Sequence, residues 1–266
     1  MAGTALFIDG APATPDDLAH QALVNYGAYT SFRVEDGEAR GLDRHLARLQ
    51  AAAVELFGEA LDECELRGWM RAAVAGRDAC FLRASLFSRE ITHRAVEWRG
   101  RPRVTIGVFD TPAPLAASMR VQPQVHARQA PHLKHVATFE LVQARRSAKT
   151  AGFDDALFVD ADGRIAEGTL WNIGFIAEER VTWPEAPMLE GVTQAVIEGG
   201  LATHGLSSER RVVRLDDLGD FDAAFLCNSA TPACAITAIG GHVFQGAPGV
   251  IERIAAAWAA ASPQPI

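Results

Sequence analysis

A chain of 266 residues, 48% hydrophobic and 22% charged, is long enough to bury one large core or two modest ones, and none of its apolar runs is long enough to span a bilayer. The formal net charge of -8 argues against a nucleic-acid partner, because phosphate backbones are bound through dense Lys/Arg faces; small molecules are the expected ligands. Cys64, Cys80, Cys227 and Cys234 form no CxxC pair and have no His at metal-ligand spacing, so neither disulfides nor a metal site is expected.

In chain order, residues 5–8 read as a strand running into a Gly turn, with no basic segment ahead of an apolar one; the cytoplasm is the expected location. Residues 29–34 read as a second strand. Asp43 opens an apolar-periodic helix carrying Leu46, Leu49, Ala53 and Leu56 on one face and ending near Gly58, and residues 64–74 form another. Strand-like runs at 80–88 and 103–109 precede the Pro/Ala-rich stretch 111–118, taken as the connection between a small N-terminal α+β domain (1–110) and a larger strand-rich domain (119–266).

Beyond the connection, residues 138–151 read as a helix stopped by Gly152, and 155–160 and 164–167 as a hairpin turning at Asp162-Gly163. Strands follow at 171–177 and 180–183. Gly191-Val192-Thr193 opens a helix to about His204, with Thr193 as its expected N-cap. A strand at 225–227, a hairpin at 236–244 about Gly240-Gly241, a helix at 251–260 and a loose Pro-containing tail complete the chain.

No GxGxxG, GxxxxGK or GxSxG motif is present, which removes sequence support for dinucleotide binding, P-loop chemistry and the common serine-hydrolase layout. Asp160-Ala-Asp162-Gly163 lacks the further ligands of a calcium loop and is read as a hairpin turn. Among 25 basic residues only Lys134 and Lys149 are lysines, so amine chemistry has two candidate positions. Lys149 lies on a helix beside Arg145 and Arg146 and reads as part of a solvated face; Lys134 sits in a loop among apolar and His neighbours.

The stretch from Lys134 through Gly152-Phe-Asp-Asp-Ala-Leu157 to Glu167-Gly168 and Asn172 resembles the large-domain signature of the class IV (fold-type IV) aminotransferases. Leu189-Glu-Gly191-Val-Thr193 is similar to that family's phosphate loop, and His45-Leu-Ala-Arg48-Leu49 to its His-x-x-Arg-Leu helix. The resemblance implies a two-domain α+β/α/β enzyme that holds pyridoxal 5'-phosphate between its lobes and works as a homodimer. Lys134 would then form the Schiff base, and Glu167 would face the pyridine nitrogen. Leu189 would lie against the ring, while Arg48, the amides of Val192 and Thr193, the Thr193 hydroxyl, Ser229 and Ala230 would hold phosphate. Tyr29 and Arg83 match substrate-contacting positions, and each also has a purely structural reading.

The implied activity is amino-group transfer between an amino acid or amine and a keto acid. The chain departs from the branched-chain pattern at Thr30, where many relatives carry Glu, and at Phe139, where they carry Tyr. Tyr29-Thr-Ser-Phe-Arg-Val34, Leu133-Lys-His135 and Cys227-Asn with Pro232 resemble aminodeoxychorismate lyase of the same family, which stands as the alternative; a catalytically silent homologue is the remote one.

Overall fold

A computed structural model describes residues 4–113 and 115–266; Pro114, within the expected connection, lies outside the described residues. The chain divides into two compact units: Met1–Pro112 with Leu133–Ala137 and Pro263–Ile266, and Ala113–His132 with Thr138–Ser262.

The first unit begins with β1 (Ala5–Ile8), β2 (Ala11–Pro12), α1 (Pro15–Leu23), β3 (Tyr29–Glu35) and β4 (Glu38–Arg40). It continues with α2 (Leu42–Phe57), α3 (Glu63–Val74), β5 (Ala79–Phe87) and β6 (Arg103–Phe109). The second unit carries β7 (Ser118–Val125), α4 (Phe139–Thr150), β8 (Asp155–Val159), β9 (Ile165–Gly168), β10 (Asn172–Ala177) and β11 (Arg180–Pro184). After these come α5 (Val192–Gly200), β12 (Ser207–Arg211), β13 (Ala223–Cys227), β14 (Cys234–Ile239), β15 (His242–Val243) and α6 (Pro248–Ala259). The last strand, β16 (Pro263–Pro265), belongs to the first unit, where it pairs with β4.

In the first unit the strands run β16-β4-β3-β5-β6-β1-β2. Strand periodicity divides this sheet by chemistry. Phe32 and Val34 of β3, Leu82, Ala84 and Leu86 of β5, and Val104, Ile106 and Val108 of β6 bury against Leu46, Leu49 and Phe57 of α2 and Leu66 and Met70 of α3. The alternate positions put Tyr29, Ser85 and Thr105 in cross-strand register on the opposite face, with Arg83 two residues from Ser85 on the same face. Arg103 ties this face to the turn after β1 through Asp9 at 2.7 Å and to α1 through Asp17, which Thr14 and Arg89 also engage.

The second unit is built on a closed ring, β10-β13-β14-β7-β8-β9, sealed by pairing between β9 and β10, with β11 and β12 continuing beyond β10. Inward positions such as Val121, Leu157, Ile173, Phe175, Leu226 and Ile236 fill the barrel. Outward positions bury under helices: Ala156 and Phe158 with α4, and Ile176, Phe225 and Cys227 with Ile197 of α5 and Ile254 of α6. Among the described residues no helix is long and apolar enough to cross a membrane.

Two local expectations are corrected, and two elements go beyond the sequence reading. The helix α1 was not anticipated, although Thr14 caps it by accepting from the Asp17 amide and Pro15 stands at its first turn. Nor was β7, whose Pro123 and polar residues hide a strand held by parallel neighbours on both sides. Thr193 is not the cap of α5: Gly191 takes the extended cap conformation, Thr193 is already helical, and no side chain caps that end. The C-terminal tail is not loose, since Gln264 pairs with Ala39 and Ile266 is buried with its amide bonded to the Gly37 carbonyl at 3.1 Å.

Leu46, 1% exposed, and Val54, 51% exposed, lie on one helix and separate packing from propensity. Leu46→Ala should cost about 2–5 kcal/mol in denaturant unfolding, and Val54→Ala no more than about 0.5 kcal/mol.

Candidate active site

The second unit's site is organised where its barrel closes. Glu167, at the end of β9, pairs across to Asn172, the first residue of β10, and both side chains are buried. Together they grip one residue by its two backbone groups. The Leu189 amide donates to Glu167 Oε1 at 3.2 Å, and Asn172 Nδ2 donates to the Leu189 carbonyl at 2.8 Å. Arg128 Nη1 also donates to Glu167 Oε1, at 3.3 Å, with both side chains deeply buried. A carboxylate removed from water is thus held by a guanidinium and a backbone amide.

The turn between Glu167 and Asn172 is fixed from below. The Gly168 amide donates to the Trp171 carbonyl at 2.8 Å, and the Trp171 indole lies over Gly168 so closely that a Cβ there would overlap the ring. Asp155, fully buried at the start of β8, accepts from Thr169 Oγ1 at 2.8 Å, Trp171 Nε1 at 3.0 Å and the Ala156 amide at 2.8 Å, with Arg145 Nε at 3.6 Å. Asn228 Nδ2 donates to the Leu170 carbonyl at 3.3 Å while its Oδ1 accepts from the Ala230 and Thr231 amides at 2.9 and 2.8 Å. The Ser229-Ala230 loop is therefore tied to the same turn.

From Leu189 the chain passes Gly191, where a Cβ would overlap Asn172 Oδ1, directly into α5. Val192 and Thr193 occupy the first turn of that helix, are buried, and receive no side-chain cap. Unspent N–H groups and the positive end of the helix dipole make this terminus suited to an anionic group. Glu167, Leu189, Val192, Thr193 and the Ser229-Ala230 loop thus belong to one connected assembly.

The first unit carries Lys134, Tyr29, Arg83 and Arg48. Leu133 buries in the helix-side core, and the Tyr29 amide donates to the Lys134 carbonyl at 2.8 Å. Lys134 Nζ stands 5.0 Å from the Tyr29 ring centroid, and the Arg83 guanidinium stacks on the same ring at 3.7 Å. Arg83 Nε donates to Ser85 Oγ at 3.1 Å, and burial works against its charge. Stacking on an aromatic face offsets part of that loss. Behind β3, the fully buried Thr30 bonds its hydroxyl to His45 Nδ1 at 2.7 Å. Burial first, and then the cations of Arg48 and Lys134, hold His45 well below its usual pKa of 6.5, so it is neutral. The second lysine, Lys149, is exposed on α4.

Sequence reasoning named no role for Arg128, Asp155, Asn172 or His45. Asp155 and Asn172 stood inside the quoted motifs, and His45 in the His-x-x-Arg-Leu run; each is a polar residue in an otherwise apolar setting. Arg128 carried no such signal, since its partner is 39 residues away.

Two predictions test the electrostatics. An unfolded chain protonates His45 below pH 6.5 while the folded one resists, so stability falls as pH drops through that value. His45→Asn should flatten the loss of unfolding free energy between about pH 7 and 5, by up to about 1.4 kcal/mol per pH unit, in denaturant titrations at each pH. Asp155→Asn places an amide where three donors converge and should cost about 1.5–3 kcal/mol in the same measurement at neutral pH.

The family model for amino-transferase class IV matches residues 27–239. The D-alanine aminotransferase of Bacillus licheniformis is 24% identical over 242 residues, covering 85% of this chain and 84% of its own. The aminodeoxychorismate lyase of Vibrio harveyi is 23% identical over 251 residues, covering 88% and 90%. Among solved structures, the PLP-bound form of a hypothetical aminotransferase from Mycobacterium tuberculosis superposes with a TM-score of 0.80 at 22% identity, covering 97% of this chain and 98% of that one. With four-fifths of its length matched by the family model, this chain belongs to the class IV aminotransferases, enzymes that depend on pyridoxal phosphate.

Proposed function

We propose that the chain transfers an amino group between an amino acid or amine and a keto acid, with Lys134 as the lysine that binds pyridoxal phosphate. The observation that carries the reading is the buried Glu167 carboxylate, held by Arg128 and the Leu189 amide, one segment ahead of an uncapped helix N-terminus. These groups fit the two ends of the cofactor: a carboxylate for a protonated ring nitrogen and helix-terminal amides for a phosphate.

In this reading the α5 amides of Val192 and Thr193, the Thr193 hydroxyl, Ser229, Ala230 and the Arg48 guanidinium bind phosphate, and Leu189 lies against the ring. Glu167 keeps a proton on the ring nitrogen. When bound, pyridoxal phosphate supplies the electron sink that makes the substrate Cα–H bond acidic. Lys134 Nζ is the amine that binds the cofactor and, once released from it, takes up and returns the proton. Arg83, stacked on Tyr29, orients a substrate carboxylate. The working form is a cytoplasmic homodimer, a reading supported by the exposed apolar side chains of Phe139 (77%) and Val142 (55%) on one face of α4.

A second reading has one observation in its favour. Thr30, within the lyase-like run Tyr29-Thr-Ser-Phe-Arg-Val34, stands where many relatives carry Glu, and its hydroxyl bonds the neutral His45. The lyase would release pyruvate from aminodeoxychorismate and leave the cofactor unconverted.

Borohydride reduction followed by peptide mapping should place the cofactor on Lys134; recovery on Lys149 would overturn the assignment. Arg48→Ala should weaken cofactor binding by about one to two orders of magnitude, the worth of a charged hydrogen bond, whereas Glu167→Gln should retain cofactor and lose turnover. With amine donor and no acceptor, a transaminase must yield pyridoxamine phosphate and a keto acid. If no donor from a panel of L- and D-amino acids and aromatic amines does so, and aminodeoxychorismate is consumed with pyruvate release, the lyase is the function.

A further inference from the structure

We propose that Gly27 is a positioning residue for Lys134, setting where its amine is presented through the backbone rather than through any side-chain contact. The inference rests on Lys134 being the cofactor lysine.

Lys134 lies outside regular secondary structure, yet its backbone is held like that of a strand. The Tyr29 amide donates to the Lys134 carbonyl at 2.8 Å, the Val136 amide donates to the Gly27 carbonyl at 2.9 Å, and Ala28 and His135 form an antiparallel bridge between them. On its other side the 27–29 segment is bonded to the end of β5, the Leu86 amide donating to the Ala28 carbonyl at 2.8 Å. Three short backbone segments therefore lie side by side, and the lysine segment is the outermost.

Gly27 is the point at which this stack tolerates no side chain. Its φ of +150° lies where L-residues are rarely found, and a Cβ there would overlap the Leu86 carbonyl oxygen. That oxygen is main chain of a buried strand residue and cannot swing aside as a side chain would. A methyl at position 27 must push the 27–29 segment away from β5, and the two hydrogen bonds to Lys134 and Val136 transmit the displacement to the lysine. Gly37, with a left-handed φ of +75° and nothing within 4 Å of its Cβ position, provides a control that carries backbone strain without this contact.

Two lysines in the whole chain make the test internally referenced, because exposed Lys149 reports general reactivity while Lys134 reports position. Cofactor-free Gly27→Ala, Gly37→Ala, Val136→Pro and parent proteins are labelled briefly with trinitrobenzenesulfonate and peptide-mapped. Val136→Pro deletes the amide that bonds Gly27 while leaving the glycine in place. Gly27→Ala and Val136→Pro should raise the Lys134-to-Lys149 labelling ratio severalfold, and kcat of the loaded enzyme should fall on the order of a hundredfold with KM changed much less, as for a catalytic group displaced by about 1 Å. Gly37→Ala should match the parent in both.

Folded Gly27→Ala and Val136→Pro proteins with parental labelling ratio and kcat would overturn the proposal. Should neither fold, hydrogen exchange on the parent decides: the Val136 amide must be as protected as that of Leu86, and rapid exchange at Val136 refutes the backbone link. Borohydride trapping on the parent separates the two failures, since cofactor recovered on Lys149 sinks the lysine assignment, whereas cofactor on Lys134 with unresponsive variants sinks only the role of Gly27.

Discussion

Closing a six-stranded barrel on a buried glutamate is the constraint from which the second unit's site follows. A ring of strands has to be sealed somewhere, and here the seal is the pairing of Glu167 with Asn172. A buried carboxylate without partners is costly, and here Arg128 and the Leu189 amide donate to it. Satisfying Glu167 and Asn172 fixes Leu189, and fixing Leu189 aims the start of α5. Barrel closure and the uncapped start of α5 are thereby one piece of structure.

The same logic extends one layer further in. Asp155 gathers the Thr169 hydroxyl and the Trp171 indole beneath the turn that joins Glu167 to Asn172. A cluster of this kind is sensitive to loss of any member, because each buried donor is left unsatisfied when the acceptor goes. Rigidity of the turn, rather than affinity of any one contact, is what the cluster provides to Glu167 and Asn172.

The first unit solves a different problem, that of keeping cations close together and out of bulk water. Arg48 and Lys134 both act on the buried His45, which responds by remaining neutral and by directing Nδ1 to Thr30. Arg83 lies flat on Tyr29, with Lys134 near the same ring. Neither an aromatic face nor a neutral imidazole brings a negative charge, so these contacts hold the cations in place without cancelling them.

What the residue order encodes is local or carried by contiguous motifs. The helices about Leu46 and Val74, strands such as β3, β5, β6, β8 and β10, the restriction of amine chemistry to two lysines and the family signature around Lys134 and Glu167 are legible, since periodicity and short-range order encode them. Thr14 and Pro15 likewise mark the start of α1 locally. Folding alone brings Arg128 to Glu167, sets Asp155 beneath the turn before Asn172, holds the 133–137 segment on β3 and returns the C-terminal residues to β4. Each of these joins groups far apart in sequence through hydrogen bonds whose value comes from burial. Burial is a property of the closed barrel and the packed sheet, and no local pattern of residues contains it.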